Sequence, residues 1–150
     1  MKILLDTNVL IYAHDPGQSN RLRHAVHILD ELQVRGDGVL SVQCLAEFFS
    51  ALTRPKGNLP PRLSIPEALH QIELLTRAFP VFDLTQFIVL EAARGVLDYQ
   101  LSYFDAQIWA TARLNQIQII FSEDFQDGQT LEGVQFIDPF SRTFDLARWI

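Results

Sequence analysis

The amino-acid sequence predicts an α/β fold, a three-layer sandwich in which helices flank a central, mainly parallel five-stranded sheet. Three observations predict it. Short apolar runs of strand length alternate with longer segments whose apolar residues recur at helical spacing, the signature of strand–helix–strand units. The 150 residues are 48% hydrophobic and 20% charged, enough for one core and too apolar for a disordered chain. The strongest interruption, Arg54-Pro-Lys-Gly-Asn-Leu-Pro-Pro-Arg62, leaves too little chain before it for a separate core. One domain over 1–150 is expected, with about 139–150 peripheral.

The elements follow in order. Lys2 to Leu5 is a short buried strand ending at Asp6, and 8–14 has the character of a short helix. Leu22, Ala25, Val26, Ile28, Leu29 and Leu32 keep helical spacing until Gly36 closes the helix. Gly38 to Ser41 is the second strand, followed by a helix over about 43–53 with Leu45, Phe48, Phe49 and Leu52 on one stripe. Ser64-Ile-Pro-Glu67 has the form of a capping box with an early proline, and opens a helix to about Ala78. Val81-Phe82 is a third strand, and a helix runs from Thr85 to about Leu97. Ser102 caps another helix to Leu114; Ile117 to Phe121 and Val134 to Ile137 complete the five strands.

Composition removes several function classes. No apolar run approaches the roughly 20 residues of a membrane span. Lys2 precedes only three apolar residues before Asp6, too few for a secretory signal. With Cys44 as the only cysteine there is no disulfide frame and no cysteine-based zinc site, so the cytoplasm is the expected compartment. Twelve basic residues against 18 acidic ones give a formal charge of −6, the opposite of a general duplex binder. A nucleic-acid partner needs a local basic patch or cations recruited by the acidic residues.

Several carboxylates stand where a solvated charge should not. Asp6 lies between Ile3-Leu4-Leu5 and Val9-Leu10-Ile11; Glu47 has Cys44, Ser50 and Ala51 as helical neighbours; Asp105 shares a face with Ile108, Trp109 and Ala112. Buried unpaired carboxylates are costly, so each needs a cation or strong donors. Ligands of parallel α/β sheets gather outside the carboxyl ends of the strands. Asp6 ends the first strand, Glu47 lies early in the helix after the second, and Asp124 follows the fourth. From Asp105 a helix of about a dozen residues descends roughly 18 Å. A five-residue strand climbs back roughly 17 Å, so the chain returns at Asp124 to the same edge. Four carboxylates meeting there repel one another unless hard cations neutralise them. Oxygen-only ligation suits one or two Mg²⁺ or Mn²⁺ ions and disfavours Zn²⁺.

Four segments carry a resemblance: LLDTNVLIYA from Leu4, SVQCLAEFFSALTR from Ser41, SYFDAQIWATA from Ser102 and IIFSEDFQDG from Ile119. In this order, each with its acidic residue, they resemble the signature blocks of PIN-domain ribonucleases, most nearly the VapC-like toxins of bacterial toxin–antitoxin pairs. The resemblance spans residues 3 to about 138. It implies Asp6, Glu47, Asp105 and Asp124 as the catalytic, metal-binding set and Asp127 as an auxiliary ligand. Thr7 and Asn8 match the polar pair that shapes the site by hydrogen bonding, and Ser122 the small hydroxyl residue before the last acid. In SEDFQDG, Glu123, Asp124 and Asp127 compete for the fourth role, and motif position favours Asp124. The implied activity is metal-dependent endonucleolytic hydrolysis of RNA, with water attacking phosphorus in line and products bearing 5′-phosphate and 3′-hydroxyl ends. A homodimer and a cognate antitoxin whose tail occupies the site are implied as well.

Taken singly, each acid has a plainer explanation. Asp6 can cap a helix, Glu47 can pair with Arg54, Asp105 can favour a helix dipole, and Asp124 and Asp127 suit a turn before Gly128. These explanations leave the convergence on one edge unexplained. His24 and His27 read as a solvated helix face, His14 and His70 as surface residues, and Cys44 as core. Phe136, Phe140, Phe144 and Trp149 read as core, with a dimer face as the other option. Arg54, Lys56 and Arg62 border the proline-rich connection and are candidate RNA phosphate contacts, equally readable as a solubilising loop. Two other functions compete. A Mg²⁺-binding phosphoacceptor receiver module needs an acidic pair after the first strand and a late lysine, and only Lys2 and Lys56 exist. An aspartate-nucleophile phosphatase wants a second Asp where Asn8 stands. A catalytically silent PIN fold, a scaffold for RNA or protein, is the third alternative.

Overall fold

The first strand, β1 (Ile3–Leu5), is wholly buried and apolar, and so requires cover on both faces. The computed structural model describes residues 1–150 and supplies that cover with α1 (Thr7–Tyr12), α2 (Ser19–Arg35), α3 (Val42–Thr53), α4 (Ile65–Ala78), α5 (Gln86–Tyr99) and α6 (Tyr103–Leu114). The remaining strands are β2 (Gly38–Ser41), β3 (Val81–Phe82), β4 (Ile119–Phe121), β5 (Thr130–Leu131) and β6 (Val134–Ile137). They lie in the order β3-β2-β1-β4-β6-β5. β3 through β6 pair parallel; only the β5–β6 edge is antiparallel.

The chain winds from β1 outward to β3, then crosses back to β4 on the other side of β1. Right-handed crossovers in opposite directions place α1–α4 on one face and α5 and α6 on the other. The carboxyl ends of β1 and β4 therefore border the crevice where the winding reverses. Leu5 is in register with Phe121, and the Asp6 amide continues the ladder to the Phe121 carbonyl at 3.0 Å. Asp6 and Ser122 thus emerge side by side.

Local chemistry sets the boundaries. Asp6 caps α1 through Thr7, Ser41 caps α3 by accepting from the Cys44 amide at 3.2 Å, and the Ser64–Glu67 capping box opens α4. Gly36 closes α2 in the left-handed conformation, φ 70°. The C-terminal segment packs against the core through Phe144, whose ring meets Phe121 edge-on at 5.4 Å, and through buried Leu146.

Three expectations change. The sheet has six strands, because Thr130–Leu131 folds back on Val134–Ile137 through Glu132 and Gly133 at φ 47° and 84°. Unlike the apolar pair Val81-Phe82, Thr130-Leu131 is half polar and lies in a turn-rich stretch, so it carries no apolar run to read. His14, expected at the surface, is half-buried: Nδ1 meets the Leu10 carbonyl at 2.9 Å, Nε2 meets Gln71 at 3.0 Å, and the ring lies edge-on to Phe48. His24 is half-buried as well, bonded to the Pro139 carbonyl between Phe140 and Phe144. The cover comes from distant chain, which helical periodicity cannot register. Cys44 is core as expected, and burial pushes its thiol up to about 12.

Gly95 marks the closest approach of α5 and α6. A Cβ there would stand 2.7 Å from the ring of Trp109, which is fully buried and cannot move aside. Gly95→Ala should destabilise the protein by about 2 kcal/mol despite the helical preference for alanine, read as a lowered urea midpoint. An unchanged or raised midpoint would show that the two helices have room to part.

Candidate metal centre

Asp6 is only 2% exposed. Its Oδ1 accepts from the Thr7 amide at 2.7 Å and its Oδ2 from the Ser122 hydroxyl at 2.6 Å. The second bond follows from the β1–β4 register. The helix that Asp6 caps then aims the next two residues: the Thr7 hydroxyl donates to Glu47 Oε2 at 2.7 Å, and Asn8 Nδ2 reaches Asp124 Oδ2 at 3.2 Å and Ser122 Oγ at 3.3 Å. The Asp124 amide also donates to Ser122 Oγ at 3.1 Å. One strand end and two turns of helix thereby join Asp6, Glu47, Asp124 and Ser122 in one network.

Glu47 is approached from its other side by Gln43, one helical turn earlier, whose Nε2 donates to Glu47 Oε1 at 2.9 Å and to the Phe104 carbonyl at 3.0 Å. Gln107 donates in turn to Gln43 Oε1 at 2.9 Å, and Gln107 Oε1 accepts from the Tyr103 hydroxyl at 2.9 Å. This relay fastens the first turn of α6, which carries Asp105, to α3. The sequence reading missed Gln43, Gln107 and Tyr103; the available signal was two glutamines on otherwise apolar helix faces. The Asp105 carboxylate itself receives no hydrogen bond. It reaches the others through its charge: burial, together with Asp105, Glu123 and Glu47, raises the pKa of Asp124 against the Asn8 hydrogen bond.

The three acids of SEDFQDG differ in their partners. Glu123 accepts from the Tyr12 hydroxyl at 2.7 Å and forms an ion pair with Arg21, whose guanidinium lies 4.8 Å from the Tyr12 ring centroid. Asp127 accepts from the Asp138 amide at 2.9 Å and serves that turn. Asp124 alone of the three bonds within the Asp6 network. Arg54 bonds to the Ser50 carbonyl at 3.0 Å rather than to Glu47. The receiver arrangement fails on strand order: β3 is the far edge strand, so Asp83 after it lies two strands from Asp6.

The donor set fits a hard divalent cation in charge and in ligand type. Asp6, Glu47, Asp105 and Asp124 form no ion pair, although Asp15, Glu31, Asp37, Glu91, Asp98, Glu123, Glu132 and Asp145 all do. Asn8 Oδ1 is buried without any donor. Burial, opposed by the Ser122 and Thr7 hydrogen bonds and reinforced by Asp124 and Glu47, pushes the Asp6 pKa from 3.8 up to about 7. As the side chains stand, no three acidic or imidazole groups close round one point as a finished chelate.

A parallel α/β domain with unpaired carboxylates in the crevice of its central strands defines a class, the acidic-site domains suited to divalent cations. Residues 3–126 match the model of the PIN domain, and the chain belongs to that family. Among solved structures, a toxin–antitoxin complex from Klebsiella pneumoniae is 20% identical with a TM-score of 0.65, over 93% of this chain and 98% of the other. VapC20 of Mycobacterium tuberculosis, described as a sarcin–ricin loop cleaving toxin, is 20% identical with a TM-score of 0.65 over 89% and 99%. DNA-bound VapBC from Salmonella typhimurium is 16% identical with a TM-score of 0.66 over 93% and 98%. At these identities the likeness is one of fold. No curated protein matches the chain.

The raised Asp6 pKa makes stability depend on pH. The folded, metal-stripped protein holds this proton to about pH 7, whereas an unfolded aspartate releases it near pH 4. Stability fully present below about pH 4 is therefore lost as pH rises through 7. Asp6→Asn keeps a capping residue and removes the loss, so in chelator at pH 7.5 its Tm should exceed the parent's by about 3 °C or more. The advantage should vanish by about pH 4. A variant that melts below the parent at pH 7.5 would show that the hydrogen bonds to the Asp6 carboxylate outweigh its desolvation.

Proposed function

We propose that the protein is an endoribonuclease dependent on Mg²⁺ or Mn²⁺, the toxin of a toxin–antitoxin pair, acting in the cytoplasm. The observation that carries this reading is a PIN-domain chain whose four crevice carboxylates have no protein cation to balance them. Asp6, Glu47, Asp105 and Asp124 would hold one or two ions. A hard divalent ion there supplies acidification of water and charge for a phosphate oxygen, the two needs of phosphodiester hydrolysis.

The chain's own residues do the arranging. Ser122 and the Thr7 amide hold one Asp6 oxygen each, so the carboxylate cannot rotate away. Thr7 and Gln43 grip opposite oxygens of Glu47. Asn8, a neutral donor, draws Asp124 toward Asp6 and adds no fifth charge. In-line attack by water with the 3′-oxygen as leaving group breaks the P–O3′ bond and leaves 5′-phosphate and 3′-hydroxyl ends.

Partners follow from surface chemistry and from the company the fold keeps. Phe87, Leu90 and Leu97 are 64%, 67% and 79% exposed along α5, with Phe104 at 62% on α6. Such side chains suit a protein interface, and a homodimer is the proposed use. Similar solved structures described as toxin–antitoxin or VapBC complexes support a cognate antitoxin. No helix is long and apolar enough to cross a membrane. A silent scaffold is the second reading, favoured by the unclosed carboxylate set.

Asp6→Asn and Asp105→Asn should each lower RNA cleavage in Mg²⁺ or Mn²⁺ by about a thousandfold or more while circular dichroism and Tm report a folded protein. Chelator should abolish the parent's activity, and labelling of fragment ends should find 5′-phosphates. Cleavage by the Asp6 variant at the parent's rate would remove the nuclease assignment. A folded parent inert with both metals would favour the scaffold.

A further inference from the structure

A cavity of about 350 Å³ is lined by Asp15, Arg54, Lys56, Leu59, Pro60, Pro61 and Arg62. Three cations face one carboxylate there, a local excess of +2 in a chain of net −6. Four other cavities have no such excess. His24, Glu31, Arg35 and Asp145 line one, Asp127, Asp145 and Arg148 another, and Asp30 is the only charged residue of a third. Arg21 lines a fourth and is already matched by Glu123.

The cations retain free donors. Arg54 spends only Nε, on the Ser50 carbonyl; Arg62 spends NH1 on Asp15 at 3.3 Å; the Lys56 ammonium bonds to nothing in the protein. The loop that presents them is held in shape. Lys56 and Leu59 exchange backbone hydrogen bonds at 3.1 and 3.0 Å around Gly57 at φ 59°, and the Leu63 amide bonds to the Leu52 carbonyl of α3 at 3.0 Å. Two prolines stiffen the return.

Position gives the cavity a purpose. Arg54, which caps the end of α3, follows Glu47 by seven residues, so the chain leaves the helix on the side of Glu47 about 10 Å further along. α1 runs beside α3 from Thr7, bonded to Glu47, toward Asp15, bonded to Arg62. Both helices thus lead from the carboxylates to the cations. A strand stacked at about 3.4 Å per nucleotide covers that distance in about three steps.

We propose that Arg54, Lys56 and Arg62 form a subsite for the phosphates of single-stranded RNA, about three nucleotides from the bond at the acidic crevice. The proposal rests on the endoribonuclease reading for the identity of the polyanion. The subsite explains how an acidic protein holds RNA at an acidic site: attraction is supplied beside the chemistry, where the strand leaves it.

The test is binding of a single-stranded RNA of about twelve nucleotides by the full-length Asp6→Asn protein, followed by fluorescence anisotropy across a salt series. Adding Arg54→Ala and Lys56→Ala together should raise Kd about tenfold and make the slope of log Kd against log salt shallower by about 1.4, about 0.7 for each lost phosphate contact. Arg77, exposed and outside the cavity, is the control, and Arg77→Ala should leave the slope unchanged. A neutral methylphosphonate about three phosphates from the cleaved bond should weaken binding by the protein with an intact cavity and not by the double variant. An unchanged slope in the double variant, or an equal fall with Arg77→Ala, overturns the subsite. Cleavage by the parent with an unchanged slope overturns the subsite alone, whereas a parent that binds through the cavity but cuts nothing overturns the nuclease and leaves the subsite standing.

Discussion

Unbalanced negative charge at the carboxyl ends of β1 and β4 is the constraint around which the rest of the site is arranged. The Asp6 carboxylate lies under the helix it caps, and burial raises its pKa to about 7. Every polar side chain near it is disposed to hold a carboxylate without neutralising it: hydroxyls from Thr7 and Ser122, amides from Asn8 and Gln43. Hydrogen bonds fix direction and leave net charge untouched. A lysine or arginine in their place would lower the folding cost and cancel the negative charge.

The contrast lies within the same molecule. Arg94 pairs with Glu91, Asp98 and Glu132 and lies over the Trp109 ring, while Arg113 approaches Glu91 and Glu132 at 3.5 Å. That cluster stitches α5, α6 and the β5–β6 turn with cations, because structure is all it serves. Glu123 is treated likewise. Arg21 and Tyr12 hold it, so the acid adjacent to Asp124 cannot compete for the same place. Neutral clamps serve the candidate ligands, whereas cations hold Glu123 and the acids of the Arg94 cluster.

The acids of the crevice were legible in the sequence because each breaks an apolar pattern at the end of a strand or in the first turns of a helix. Asp6 after Ile3-Leu4-Leu5 is the plainest case. Their connection was not legible, since it depends on strand register: Ser122 meets Asp6 only because Leu5 pairs with Phe121. The Gln43–Gln107 relay was invisible for a related reason. A glutamine on an otherwise apolar helix face signals a polar partner, and does not say that the partner is another amide 64 residues away. The fate of Glu123 turned on Arg21, 102 residues distant, and no local spacing encodes that pair. β5 escaped notice because Thr130-Leu131 is half polar and lacks the apolar run that marks Val81-Phe82, and His24 because its cover is the returning C-terminal segment.

Asn8 shows why identity, and not only position, matters at such a site. It donates to Asp6, Ser122 and Asp124, which requires an amide nitrogen; an aspartate there would lose all three bonds. It would also place a further negative charge beside carboxylates whose pKa values are already raised, and protonation would then compete with cation binding near neutral pH. The amide's other end, Oδ1, is buried with no donor, a cost of about 1–3 kcal/mol for an unsatisfied polar atom. Where an aspartate-nucleophile phosphatase wants a second Asp, Asn8 ties Asp6, Ser122 and Asp124 together without adding charge.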